Sequence, residues 1–135
     1  MVELNYIFIV VAALIVQPLG ALWYSPFMFG TQWMKEVKFT KKDIEKAKKK
    51  GMAKSMAFSF IAALVMSSVL AYLYALLEIT TLVDHLCLAA MLWFGIIATS
   101  FLNGVLWEGK SLALYFIYTG HLLVQILVIA LVLSF

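Results

Sequence analysis

Four amide or imidazole side chains stand inside largely apolar runs: Gln17, Asn103, His121 and Gln125. Amide and ionisable groups at membrane depth are costly, turn toward protein or water, and so mark binding or permeation sites. An imidazole such as His121 can also change charge near neutral pH. Brought together, the four would form a polar pocket, with Trp23, Tyr24, Trp107 and Glu108 as its rim. The chemistry this offers is recognition or passage of a small solute or ion. The other role open to the same groups is hydrogen bonding between helices, about 0.6 kcal/mol per bond in a bilayer, which sets register.

Catalysis is a poor match. The chain has no nucleophile–base–acid set, no His/Asp/Glu cluster at metal-ligand spacing and no Gly-rich phosphate loop. Glu108 and His121 could in principle act as acid and base, but along one helix they would stand nearly 20 Å apart. The other histidine, His85, falls near the outer surface, where solvation is expected. The single cysteine, Cys87, excludes an internal disulfide and reads as a buried small apolar residue. No enzyme activity, cofactor or metal is expected.

The elements that must position these residues are legible in composition. Of 135 residues, 65% are hydrophobic and 13% charged, against about 45–50% and 25% in a soluble domain. A mean hydropathy of +1.03 cannot be hidden inside one small globule. Four runs are long enough to cross a bilayer, at about 20 residues each: residues 6–24, 55–77, 86–107 and 112–135. None shows the alternation of a barrel strand. The expectation is a single all-α domain over 1–135, a four-transmembrane-helix bundle. The first run lacks a basic lead-in, carrying Glu3 instead, and no small-x-small site precedes Trp23, so it reads as a retained helix. Pro18, inside that run, predicts a kink.

Charge sets the expected orientation. Nine of the ten lysines fall between Lys35 and Lys54, and the tenth is Lys110; the 78–84 connection holds only Glu78 and Asp84. The positive-inside rule places residues 26–54 in the cytoplasm and both termini outside, in a cell inner membrane. Thr40 followed by Asp43 reads as a helix cap, and Glu45/Lys49 as a favourable i,i+4 pair. The second span therefore acquires a cytoplasmic extension from about residue 41. Nucleic acid is not an expected partner, since arginine is absent and no basic–aromatic groove is apparent. The small residues Ser55, Ser59, Ala63, Ser67 and Ala71 form a stripe at spacing four, a face for close packing and for a homo-oligomer.

The stretch GALWYSPFMFGTQW, Gly20 to Trp33, ends the first span. Trp23 and Tyr24 suit the interface. Ser25-Pro26 reads as cap and first turn of a surface helix, and Gly30 as a turn or close-packing point. Gly20-Ala-Leu-Trp23 recurs as Gly104-Val-Leu-Trp107, which suggests two pseudo-repeated helical hairpins. Together with NGVLWEGKSLALYFIYTGHLL, the first stretch resembles the small bacterial integral-membrane proteins grouped as domain of unknown function 1761. Gly20, Trp23, Tyr24, Ser25, Pro26, Phe29, Gly30 and Trp33 match that family's first motif, and Asn103, Glu108 and Lys110 its second. Trp107 and His121 depart from it. The resemblance implies four helices and no established activity. The residues favour a homo-oligomeric binding or transport protein for a small solute or ion; the alternative is an accessory or scaffolding subunit of a larger membrane complex.

Overall fold

The computed structural model describes residues 3–135, so Met1 and Val2 of the lead-in lie outside the described residues. The first span is α1 (Tyr6–Trp23), capped by Asn5, whose side chain accepts from the Phe8 N–H. Two short helices follow, α2 (Gly30–Val37) and α3 (Lys41–Lys50), then the second span, α4 (Ala53–Leu76). The third span is α5 (Leu82–Leu92), a π-helical stretch over Trp93–Ala98, and α6 (Thr99–Trp107); the fourth is α7 (Leu112–Leu133). All four spans are long and apolar enough to cross a membrane, as expected.

Boundaries shift where capping chemistry decides. The third span begins at Leu82, not near 86, because the Thr81 hydroxyl accepts from the Asp84 N–H at 3.1 Å and Asp84 faces the positive end of the helix dipole. Thr40 and Asp43 form the expected capping box. The extension of the second span exists as a separate helix: Gly51, at φ +85°, breaks the rod between α3 and α4. Ser25 does not cap α2. Its hydroxyl donates to Leu22 O at 2.6 Å, closing the end of α1, and a turn over residues 24–29 separates the two helices. Glu45 and Lys49 do not close an ion pair; among the described residues that role falls to Glu108 and Lys110, at 3.1 Å.

The helices pack as two hairpins, α1 on α4 and α5 on α7, joined through α1 against α7. Alanines make this possible. Ala12 and Ala13 of α1, Ala63 of α4, Ala89 of α5 and Ala130 of α7 are essentially inaccessible, and Val16, Leu70, Tyr74, Ile126 and Ile129 fill the space between them. In a bilayer such close backbone approach replaces the hydrophobic driving force that water would supply. The small-residue stripe of α4 is used here. Ala63 and Ser67 are buried within the chain, so that stripe as a whole is not a free face for a second copy; only Ser55 and Ser59 stay exposed. The outward side chains, including Ile7, Phe58, Val65, Met91, Phe94 and Phe116, are large and apolar, which suits hydrocarbon; Cys87, expected to be buried, is exposed among them.

Both lysine-bearing connections lie at one end. Helix α2 packs on α7, and the Ser111 hydroxyl donates to the Glu36 carboxylate at 2.6 Å, tying the 1–2 connection to the 3–4 connection. The opposite end carries Glu3, Glu78 and Asp84 and no lysine.

Candidate functional site

The Gly20–Trp33 stretch builds a reciprocal lock between α1 and α7. A Cβ on Gly20 would stand 3.3 Å from His121 Nε2, and a Cβ on Gly120 would stand 3.1 Å from the Trp23 ring. Each helix thus offers a bare glycine to the other's ring. Trp23 Nε1 donates to Ile117 O at 3.0 Å, and Trp33 Nε1 to the Tyr118 hydroxyl at 3.1 Å. Tyr24 meets Trp33 edge-on at 5.9 Å between centroids, and His121 edge-on at 5.3 Å. Gly30 is compelled by the turn: a Cβ there would lie 2.3 Å from Tyr24 O. Trp23, Tyr24 and His121 are therefore together, as the sequence suggested, but as a packed aromatic lock. His121 Nε2 is buried without a hydrogen-bond partner among the described residues.

The single polar pocket does not form. Gln17 turns its amide onto Ala13 O of its own helix at 3.2 Å, and Gln125 reaches the Met66 sulfur at 3.6 Å. Both are held by near neighbours along or between helices, the register-setting role. Trp107 is 83% exposed, so it is no rim residue. Its counterpart in the four-residue echo, Trp23, is packed inward, because Gly120 lies opposite Trp23 and no glycine faces Trp107.

What Asn103 and Glu108 line instead is an open groove of about 260 Å³ between α6 and α7, at the lysine-rich end. Ser100, Asn103, Glu108, Lys110, Tyr115 and Tyr118 contribute its polar atoms. Glu108 and Lys110 are both half-exposed, so their pairing adds little stability and leaves each able to turn to a ligand. Tyr118 is shared: it borders the groove and also meets the lock through Trp33 and Tyr24. The π-helical stretch shapes the same seam. Trp93 Nε1 donates to Thr119 O at 2.7 Å, and the Tyr115 hydroxyl donates to Ala98 O at 2.7 Å. A wide turn in a helix loosens its carbonyls: the Tyr115 hydroxyl of α7 takes up Ala98 O, while Trp93 reaches the other way, to a carbonyl of α7. Nothing in the residue pattern of 93–98 signals this turn, and Tyr115 reads in sequence as one more apolar-run aromatic.

His85 corrects a second expectation. It is not solvated but 4% exposed. Its Nδ1 lies 2.7 Å from Thr81 O, its ring meets that of Tyr74 at a tilt of 53° with centroids 4.2 Å apart, and the Tyr74 hydroxyl donates to His85 O at 2.8 Å. The earlier start of α5 puts it inside the first helical turn, facing α4. The signal was present in Thr81-x-x-Asp84, a cap that moves the helix boundary past His85.

The described residues thus define an all-helical protein with four helices fit to span a membrane and a polar groove at one end. The chain belongs to the family described as protein of unknown function DUF1761, whose sequence model matches residues 7–134. No curated protein and no solved structure matches it.

Proposed function

We propose that the protein is a homo-oligomeric membrane protein that binds a small polar solute or ion, in the groove between α6 and α7. The observation that carries this reading is the convergence of Asn103, Glu108, Lys110 and Tyr118 on one open space at the end of the bundle. A carboxylate, an ammonium, an amide and phenols together suit a ligand with both donors and acceptors. Orientation follows from the lysines: the groove and residues 26–54 face the cytoplasm, with both termini outside. Four spans leave little room for an enclosed path, so passage across the bilayer would need more than one copy. Native mass spectrometry from nanodiscs tests both parts. A multimer carrying a small adduct that Asn103→Leu removes is the expected result; a bare monomer in both proteins refutes it.

A second reading rests on α3. That helix holds Lys41, Lys42, Lys46, Lys48, Lys49 and Lys50 and buries no residue. An unpacked cationic helix suits docking on anionic headgroups or on an acidic partner, as in an accessory subunit. Gentle native purification separates the readings, because a stoichiometric larger partner supports the second and a homo-oligomer the first.

A further inference from the structure

The end of the third span breaks a local rule. Glu108 is the C-cap residue of α6, so its carboxylate stands at the negative end of that helix, where a cation is favoured. The backbone is built to answer it. Gly104 O accepts from both Glu108 N, at 3.2 Å, and Lys110 N, at 3.1 Å, and Gly109 takes φ +70° between them. That turn sends Lys110 back over the helix end. Its stem crosses Gly104, where a Cβ would meet Lys110 Cδ at 3.1 Å, and its Nζ reaches Glu108 Oε2 at 3.1 Å. Two glycines thus hold one negative and one positive group side by side on the wall of the groove. Stability does not explain the arrangement, since an exposed pair adds little. A residue set against its local preference is expected where function requires it.

The rest of the groove selects among ligands. Its volume of about 260 Å³ is below that of a pocket for a drug-sized molecule. The Tyr118 hydroxyl already accepts from Trp33 Nε1, which leaves its own hydrogen to be donated toward an anion. Phe101, Val105 and Leu114 supply an apolar wall. A ligand with one charge would satisfy one partner of the Glu108–Lys110 pair and strip the other. A ligand carrying both signs on neighbouring atoms exchanges that single pair for two. An α-amino acid has this form, with ammonium and carboxylate on one carbon and a side chain left over for the wall.

We propose that the groove binds a zwitterionic α-amino acid with an apolar side chain, its ammonium on Glu108, its carboxylate on Lys110 and Tyr118, and its side chain against Phe101, Val105 and Leu114. The assignment rests on the groove being the solute site and names the solute.

The test uses the full chain, ¹⁵N-labelled at asparagine, in phosphatidylcholine nanodiscs. The Asn103 side-chain amide reports on the groove, and Asn5, the one other asparagine, is a reference at the far end. Leucine is titrated beside two half-molecules: isopentylamine, which lacks the carboxylate, and 4-methylpentanoate, which lacks the ammonium. A saturable shift of Asn103 with leucine alone, Asn5 unmoved, is expected. Glu108→Gln and Lys110→Met, changes at exposed side chains that keep the fold, should each weaken the affinity about tenfold, the loss of one charge-assisted bond. An equal response to either half-molecule, or an unchanged affinity in either variant, overturns the amino acid and leaves the groove as a solute site. No saturable shift with leucine, in a protein that still carries an adduct dependent on Asn103, does the same. No shift and no adduct overturns both readings.

Discussion

Gly30 and Gly120 carry more of the structure than their size suggests. Any side chain at Gly30 would overlap Tyr24 O and Ser25 O, which are backbone atoms and cannot swing aside. Gly30→Ala should therefore lower stability by about 1–3 kcal/mol, read as a fall in the thermal midpoint in nanodiscs. The two echo tryptophans should part company. Trp23→Phe loses the bond to Ile117 O and should cost about 0.6–1 kcal/mol, while Trp107→Phe should leave the midpoint unchanged, since Trp107 touches little protein. Quenching by brominated lipid gives an independent check, strong for Trp107 and weak for Trp23.

Among the elements, α3 has a cap whose carboxyl shifts on folding. The backbone N–H of Thr40 and then its hydroxyl, with Lys46 adding a smaller effect, hold the Asp43 carboxyl below its ordinary value of 3.8. A carboxyl whose value is depressed on folding stabilises the fold above the ordinary carboxylate range and loses that contribution as pH falls through its depressed value. Helix α3 should accordingly fray below about pH 3.8 and be indifferent between pH 6 and 8. The Ala47 ¹³Cα shift reports this, and Asp43→Ala should show the frayed value at every pH. Gly51 governs the neighbouring break. Because Gly51 sits at positive φ with open space around it, Gly51→Ala is strained by its backbone and not by a clash. The substitution should favour a continuous α3–α4 rod, lengthening spin-label distances between residues 46 and 58.

For the molecule as a whole, the Ser111–Glu36 bond and the packing of α2 on α7 set both lysine-bearing connections at one end. Single cysteines placed at Lys46 and Lys110, in a chain with Cys87 replaced by alanine, should react with an impermeant thiol reagent from the same side of the membrane. A cysteine at Glu78 should react from the other side. Labelling of Lys46 and Lys110 positions from opposite faces would break the architecture, and labelling of both from outside the cell would reverse only its orientation.

Composition and period were enough for the spans: four long apolar runs have one stable form in hydrocarbon, a helix that satisfies its own backbone. Caps were legible too, because Thr40-x-x-Asp43 acts within a few residues of itself. What the chain could not reveal in one dimension was which polar group finds which neighbour. Gln17 is satisfied by Ala13 O within its own helix, Gln125 by Met66 from another, and both depend on rotation angles that hydropathy does not encode. The pocket expected from Gln17, Asn103, His121 and Gln125 therefore divided into a lock around His121 and a groove around Asn103. Tertiary contact alone decided this. Gly20 and Gly120 let α1 and α7 approach until each ring covered the other's backbone, and that approach filled the space where a shared pocket would have been.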